Sequence, residues 1–383
     1  MDDLWREIRE KQEDNLSKFA CKSTNTKGRM VPEKKCLIRT DFERDGNRIL
    51  YSVEFRRLRH KTQVFFNAKN DHICTRMEHV LYVGSISSTI VRTLNLNQDL
   101  TYAIALGHDL GHAPFGHSGE RVLNSCIHNL DPSLPKFRHE LNSLRVIDRL
   151  ASRISSDEKD AFRGLNLTFE VRDGIVSHCG EKYGEYKVSP DRLKKPEDLE
   201  NMIELPEKPY SLEACVVRLV DKIAYVGRDV EDALRVKLID INDIPKDIKE
   251  ELGVTNGEII NTLVVDLVKN SYNNDYIALS PEKGEALARL ITENNRLIYK
   301  SDKIQRYEKA AKNIIEGLFD HLNSIADDLE MLEASDLKVD KFFHHFITHN
   351  GLSNESSAQK SLDYIAGMTD NFAMTCYDEI YAL

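Results

Sequence analysis

The sequence contains no Cys-x-x-C pair. Its seven cysteines, Cys21, Cys36, Cys74, Cys126, Cys179, Cys215 and Cys376, are odd in number and widely spaced. That pattern excludes a disulfide framework and a cysteine-built structural zinc site, and it fits a reducing compartment. No run of about 18 apolar residues occurs, so no membrane-spanning helix is expected. The opening MDDLWREIREKQEDNLS is too polar for a secretory signal. The expectation is a soluble, unprocessed, cytoplasmic protein without a membrane partner. Repeats and long low-complexity tracts are missing as well. Strand-like patterns are scarce: KLIDIND (237–243) and DYIALSP (275–281) each read as a short strand or as a helix end. Positive charge is in deficit, with a formal net charge of -10. A nucleic-acid partner is therefore not expected, because the phosphate backbone would be repelled. A small polyanion stays compatible where basic residues gather locally or a metal carries the positive charge.

The remainder is ordinary globular composition: 383 residues, 41% hydrophobic and 30% charged. That length allows one large domain or two to three smaller ones, with a substantial core. Helical periodicity dominates. Val83, Ile86, Ile90 and Leu94 recur every three or four residues and predict an amphipathic helix starting near His79. Residues 98–109 predict a shorter helix, which Gly111, Pro114 and Gly116 interrupt. A third should begin near Gly116 and carry Glu120, Val122, Leu123 and Ile127, and 138–151 reads as a fourth. The clearest spans 211–238, with Ser211 as N-cap. Leu212, Val216, Leu219, Ile223, Val230 and Leu234 form its apolar stripe. Asp221, Tyr225 and Asp229, spaced by four, share another face. Residues 20–40 read as an irregular arm, 184–210 as an exposed insertion or loop, and 282–383 as further helices.

Eight of the 13 histidines fall between positions 60 and 139. The sharpest element is His108-Asp109. An adjacent imidazole and carboxylate reach one ion only from a helix end or a bend, and the glycines that follow supply one. Such donors suit manganese, iron, cobalt, nickel or zinc, and magnesium if waters complete the shell. A lone His-Asp dipeptide is usually polar surface. The string GHDLGHAPFGHSGE, with histidines at 108, 112 and 117 among glycines and a proline, makes no sense as a solvated helix face. His117 and Glu120 stand three apart at a helix start, so their side chains can meet, although spacing alone also fits an unrelated surface pair. Residues 39–61 carry seven Arg and Lys against four acids, a local excess of three positive charges. An anion-facing surface and an intersubunit salt-bridge surface both fit that excess.

The chain resembles the HD-superfamily deoxynucleoside triphosphate triphosphohydrolases, the dGTPase-like family. The resemblance is carried, in order and over nearly the whole chain, by RTDFERDGNRILYSVEFRRLRHKTQVF (39–65), TRMEH (75–79), LTYAIALGHDLGHAPFGHSGE (100–120) and FRHELNSLRV (137–146). It continues through GLNLT (164–168), SLEACVVRLVDKIAYVGRDVEDAL (211–234) and DYIAGMTD (363–370). The implied fold is mainly α, an HD-domain helical fold with an additional helical C-terminal part. The implied layout is an N-terminal arm (1–38), a phosphohydrolase core (39–240) and a helical C-terminal part packed on it (241–383).

The resemblance implies one divalent metal ion, manganese or magnesium ahead of iron, cobalt, nickel or zinc, held by His79, His108, Asp109 and Asp221. It implies catalytic roles for His117, with Glu120 supporting it, and for His112 and His139. His117 would act as general acid toward the leaving 5′ oxygen, or else as a base. Without the family, His112 and His139 read equally as hydrogen-bonded core histidines. Substrate contacts are implied for Arg76 and Lys222 (phosphates), Tyr225 (sugar), Asp229 (3′-hydroxyl) and Gln63 (base or sugar). The implied reaction converts a dNTP, dGTP or several dNTPs, to deoxynucleoside and inorganic triphosphate. Other HD-type phosphohydrolases (a nucleotidase or phosphodiesterase) and a non-catalytic nucleotide sensor are the alternatives. A homo-oligomer, tetramer or hexamer, and a nucleotide effector are also implied. The chain departs from the family pattern at Asp41, at Asp45-Gly46-Asn47 and at Asn371, which leaves effector and oligomer contacts open.

Overall fold

The computed structural model describes residues 4–64, 73–152, 164–179 and 184–381. Of the clustered histidines, His72 lies outside the described residues, as does Phe65 at the end of the first family-like stretch. Helices follow one another along the chain: α1 (Leu4–Gln12), α2 (Asp41–Tyr51), α3 (Val53–Arg57), α4 (Arg76–Leu94), α5 (Gln98–Gly107), α6 (Gly116–Leu130), α7 (His139–Arg145), α8 (Phe169–Val176) and α9 (Leu212–Arg235). The C-terminal part adds α10 (Lys246–Leu252), α11 (Asn256–Ser271), α12 (Pro281–Asn294), α13 (Asp302–Ile325), α14 (Leu329–Ala334), α15 (Lys338–Asn350), α16 (Ser357–Ala366) and α17 (Asp370–Tyr381). Among the described residues, the two strands β1 (Lys187–Val188) and β2 (Ile277–Ala278) form one antiparallel pair. The chain is thus mainly α-helical, as its periodicity and its family resemblance both predicted.

Local chemistry explains the main boundaries. Thr75 and Glu78 form a reciprocal capping box that starts α4, three residues ahead of His79. Ser211 accepts from the Ala214 amide and starts α9 where expected. The 138–151 helix divides into α7 and a π-turn, Val146–Leu150. Of the two strand candidates, 237–243 contains a 3₁₀ turn, Ile241–Asp243, whereas 275–281 contains β2. The 184–210 segment is not a free insertion. It supplies β1, and Val188 and Leu199 are buried against the core, which gives the apolar positions of that Lys- and Glu-rich stretch a place to go.

Two apolar cores hold these elements. The first is built from α2, α4, α5, α8 and α9, continued by α11 and α12, around side chains such as Phe42, Ile104, Leu106, Val220 and Ile223. Each such burial stabilises by roughly 1.5–3 kcal/mol. The second gathers α13, α15, α16 and α17 around Ile315, Phe319, Phe343 and Ile365. The helix α6 belongs to the second core, through Val122, Leu123 and Ile127, although it directly follows α5 of the first. The stretch between them, residues 108–115, therefore bridges the two cores.

The basic excess of residues 39–61 is answered from outside that segment. Arg44 and Arg48 pair with Glu33, Arg57 donates to the Gly367 carbonyl, and the buried Lys61 ammonium donates to the carbonyls of His112 and Ala366. The departures from the family pattern at Asp41 and at 45–47 are absorbed by neighbouring side chains. Asp41 binds Arg6 and Arg29, Asp45 binds Arg29 and Thr168, and Asn47 accepts from Arg39.

One buried charge site carries a pH prediction. Glu213, near the start of α9, accepts from the Cys21 and Asn97 amides through Oε1, while its buried Oε2 has no partner. Burial pushes its carboxyl up from 4.5 to about 7. Between those values the folded chain keeps a proton that the unfolded chain has lost. Stability therefore falls as pH rises from about 4.5 to 7 and is level above that. Glu213→Gln removes the titration and keeps the Oε1 acceptor. Denaturant melts should show the variant gaining on the wild type by up to roughly 3 kcal/mol from pH 5 to pH 8. An equal gap at both pH values would contradict this.

Candidate active site

Four family-matched residues come from three elements of the first core. His79 lies one turn into α4, His108 caps the end of α5 with Asp109 directly after it, and Asp221 projects from the middle of α9. The His79 Nε2 lies 2.9 Å from Asp221 Oδ1 and 4.0 Å from Asp109 Oδ2, and the His108 Nε2 lies 3.5 Å from Asp109 Oδ1 and 3.9 Å from Asp221 Oδ1. These four side chains thus converge from positions up to 142 residues apart.

The convergence suits a divalent ion. His108 Nδ1 faces the Ala105 carbonyl at 2.7 Å, which makes Nδ1 the protonated nitrogen and leaves a lone pair on Nε2. That Nε2 is buried and has no hydrogen-bond partner, a costly arrangement unless a cation meets it. Both carboxylates are strongly ionised. Burial opposes this, but the hydrogen bond from His112 and the charge of Arg76 hold Asp109 well below the usual range, and the hydrogen bond from His79 brings Asp221 down to about 2. Two imidazoles and two carboxylates match the donor preference of borderline first-row metals.

The loop after Asp109 is anchored by α7. Ser143 Oγ accepts from the Gly111 amide and donates to the His108 carbonyl, and Asn142 donates to the Gly111 carbonyl. A Cβ on Gly111 would stand 2.1 Å from the Ser143 nitrogen, so only glycine allows α7 this close. The same contact seats His139, the first residue of α7, beside His112. Their rings stack at 3.8 Å with a 19° interplanar angle.

His112, His117, Glu120 and His139 form a second cluster of donor atoms. Proximity alone would permit an ion there, but the geometry does not favour one. Stacked imidazoles carry their in-plane lone pairs side by side, so the His112 and His139 pairs do not converge. The His139 Nδ1 is already engaged by Glu120 Oε2 at 3.1 Å. The electrostatics point instead to a split of protonation states. Burial opposes a charge on His139, but Glu140 and Glu120 outweigh it and raise its pKa to about 9. Burial, Arg76 and His139 push His112 well below its ordinary value. His139 is thus a cation resting on a neutral His112. His117 meets Glu120 Oε2 at 3.5 Å, and 65% of its side chain is exposed to the cavity mouth. Glu120 is therefore shared, with its closer contact to His139.

A cavity of about 820 Å³ opens over both clusters, a size suited to a small organic ligand. Its lining includes Gln63, Arg76, His79, Asp109, His112, His117, Glu120, His139, Asp221, Lys222, Tyr225 and Asp229. Of the sequence-selected residues, only His108 lies behind this wall. The Arg76 Nη1 is bound to Asp109 Oδ2 at 2.8 Å, so Arg76 orients that carboxylate as well as facing the cavity. One end of the Gln63 amide is buried without a partner. Lys222 lies 3.7 Å from Glu185, which also pairs with Arg218 one turn earlier on α9. None of residues 39–61 is among the described lining.

Several residues were not selected from sequence. His178, buried at the end of α8, faces the Ile175 carbonyl through Nδ1 at 2.6 Å and packs edge-on against His108 at 4.9 Å. Burial and the neighbouring His108 lower its pKa to about 4. Its signal was available: a histidine closing an apolar helical run, as His108 does. Tyr299 donates its hydroxyl to Asp229, whose carboxyl burial raises to about 7. Tyr299 ends a π-turn, Asn295–Tyr299, and no local pattern points to it. Arg138, Lys136 and Arg121 add positive charge near His117 at the mouth.

Comparison with known proteins now gives the class. Residues 76–226 match the HD domain, and residues 277–379 match the phosphohydrolase-associated domain. Together with the histidine and aspartate cluster, these matches indicate a metal-dependent HD phosphohydrolase. The chain belongs to the family of deoxyguanosinetriphosphate triphosphohydrolase-like proteins. It is 40% identical to such a protein of Caldanaerobacter subterraneus subsp. tengcongensis, over 98% of this chain and 95% of the relative. It is 37% identical to one of Desulfatibacillum aliphaticivorans, over 98% of each chain, and 35% identical to one of Clostridium tetani, over 94% of this chain and 91% of the relative. Among the described residues, no helix is long and apolar enough to cross a membrane.

Proposed function

We propose that this protein hydrolyses deoxynucleoside triphosphates at the α-phosphorus, giving deoxynucleoside and inorganic triphosphate. The observation that carries the reading is one cavity lined by two chemically distinct groups of residues. One is His79, Asp109 and Asp221 in the wall, with His108 directly behind them and its Nε2 unpartnered. The other holds the Asp229–Tyr299 hydrogen bond and Tyr225, groups suited to a sugar. The names of the relatives support the same substrate class.

His79, His108, Asp109 and Asp221 would hold one divalent ion, manganese or magnesium. When bound, the ion supplies Lewis-acid polarisation of the phosphate. Arg76 and Lys222 offset phosphate charge, and the His139 cation adds to them beside the neutral His112. Gln63 and Tyr225 bracket the deoxyribose, and Asp229, aligned by Tyr299, accepts the 3′-hydroxyl. His117, at the open mouth and steadied by Glu120, gives its proton to the 5′ oxygen as the P–O5′ bond breaks. The water oxygen bonds to the α-phosphorus and ends on the triphosphate, and the proton it loses passes to solvent, from which His117 is recharged.

The test is incubation with each dNTP and manganese or magnesium, with products separated by ion exchange. Deoxynucleoside and triphosphate are expected. Deoxynucleoside monophosphate and diphosphate would overturn the proposal.

A further inference from the structure

One carboxylate of the second core holds two chain segments that border the cavity. Asp370 is the first residue of α17 and is 5% exposed. Its Oδ1 accepts from the Phe115 amide at 2.9 Å, and its Oδ2 accepts from the Thr62 amide at 2.9 Å. The α17 terminus does not need that carboxylate, because the Thr369 hydroxyl already accepts from the Phe372 amide. Asp370 is therefore committed to two amides 255 and 308 residues away.

Each amide borders a cavity residue. Thr62 precedes Gln63 and forms a bridge to Thr75, the cap of α4, while the Arg76 amide donates to the Lys61 carbonyl. This segment thus fixes Gln63 relative to Arg76 and His79. Phe115 precedes α6, two residues before His117. Its φ of +63° lies in the left-handed region that a bulky side chain rarely adopts, and Gly116 follows at +60°. The α6 terminus has no side-chain cap of its own. A conformation of this kind persists only where its surroundings over-determine it, and the Asp370 hydrogen bond is a specific restraint on it.

We propose that Asp370 is a positioning residue for the reaction. Its carboxylate joins the Gln63 segment to the start of α6 and so sets His117 and Gln63 in register with the His79–His108–Asp109–Asp221 cluster. The start of α17 thereby acts on the chemistry although Asp370 itself does not line the cavity. This inference rests on the hydrolytic reading of the cavity. A displacement of His117 by about 1 Å would cost on the order of 100-fold in rate.

The experiment compares the full-length wild type with Asp370→Asn and Asp370→Ala. Hydrogen exchange over residues 61–64 and 113–117 should accelerate in both variants. At a temperature where all three proteins are folded, kcat should fall roughly 10- to 100-fold in Asp370→Ala, with KM changed less than about threefold. Metal content should be unchanged. Asp370→Asn should lie between, because its amide oxygen can still accept one bond while its NH₂ faces the second amide. If Asp370→Ala does not fold, the Asn variant carries the test. Accelerated exchange with kcat within about twofold of wild type would overturn the positioning role, as would unchanged exchange. A wild type that turns over no dNTP would defeat the proposed function, while exchange would still decide whether the clamp exists.

Discussion

Asp109→Ala is expected to lose the bound metal and turnover together. Asp109 Oδ2 binds Arg76, and Oδ1 faces the Nε2 atoms of His108 and His112 at 3.5 and 3.2 Å. Removing the carboxylate deletes one negative donor and leaves the Arg76 guanidinium buried beside two imidazoles. The local field then repels a cation instead of attracting it. Metal affinity should fall by more than about 100-fold, because even residues that only support ligands cost 10–100-fold. Loss of Lewis-acid assistance worth several kcal/mol implies a rate loss of roughly 10³-fold or more. Metal analysis of the purified variant, alongside kcat, checks both. Because an unpaired buried Arg76 also destabilises the fold, Asp109→Asn serves as the milder companion. It keeps the shape and an acceptor oxygen but not the charge. Turnover with full metal occupancy in Asp109→Ala would exclude Asp109 as a ligand.

The second large effect separates chemistry from metal binding. His117→Ala should keep its metal and lose roughly 10²- to 10⁴-fold in kcat, the usual contribution of a proton-transfer group. Metal binding should survive because the mostly exposed His117 contacts Glu120, not the His79–His108–Asp109–Asp221 cluster. The fold should survive because α6 is held by Leu123 and Ile127 in the second core, not by its first turn. A phosphate ester with a p-nitrophenolate leaving group tells acid from base. That group departs without a proton, so a general-acid role predicts little loss on this ester and a large loss on dNTPs. Equal losses on both would identify His117 as a base. An unchanged rate on dNTPs would remove it from the chemistry altogether.

The legible parts of the site were those written in local patterns. A three-to-four spacing places apolar side chains on one helix face whatever surrounds the helix, so α4 and α9 were predictable. The i, i+4 relation of Asp221, Tyr225 and Asp229 needed no tertiary information, and all three line the cavity. The His-Asp pair before a glycine-rich turn marked candidate metal donors, because residue type decides coordination chemistry. The family-like motifs extended this reading to Gln63, Arg76, His112, His117, Glu120, His139 and Lys222, all of which line the same cavity.

What the residue order could not reveal depends on distances between segments remote in the chain. The charge on His139 is held against its burial by Glu140, its neighbour in the chain, and by Glu120, 19 residues away, which only packing brings there. Tyr299 meets Asp229 across 70 residues, and Asp370 meets Thr62 across 308. The assignment of α6 to the second core is of the same kind. Its apolar stripe shows that it packs, but the stripe is equally compatible with either core. The sequence by itself determined the helices, the donor atoms and the class of chemistry, because these follow from local periodicity and side-chain identity. The tertiary structure alone decided the seam between the cores, the shared Glu120 and the Asp370 clamp, because hydrogen bonds and desolvation act through space and not along the chain.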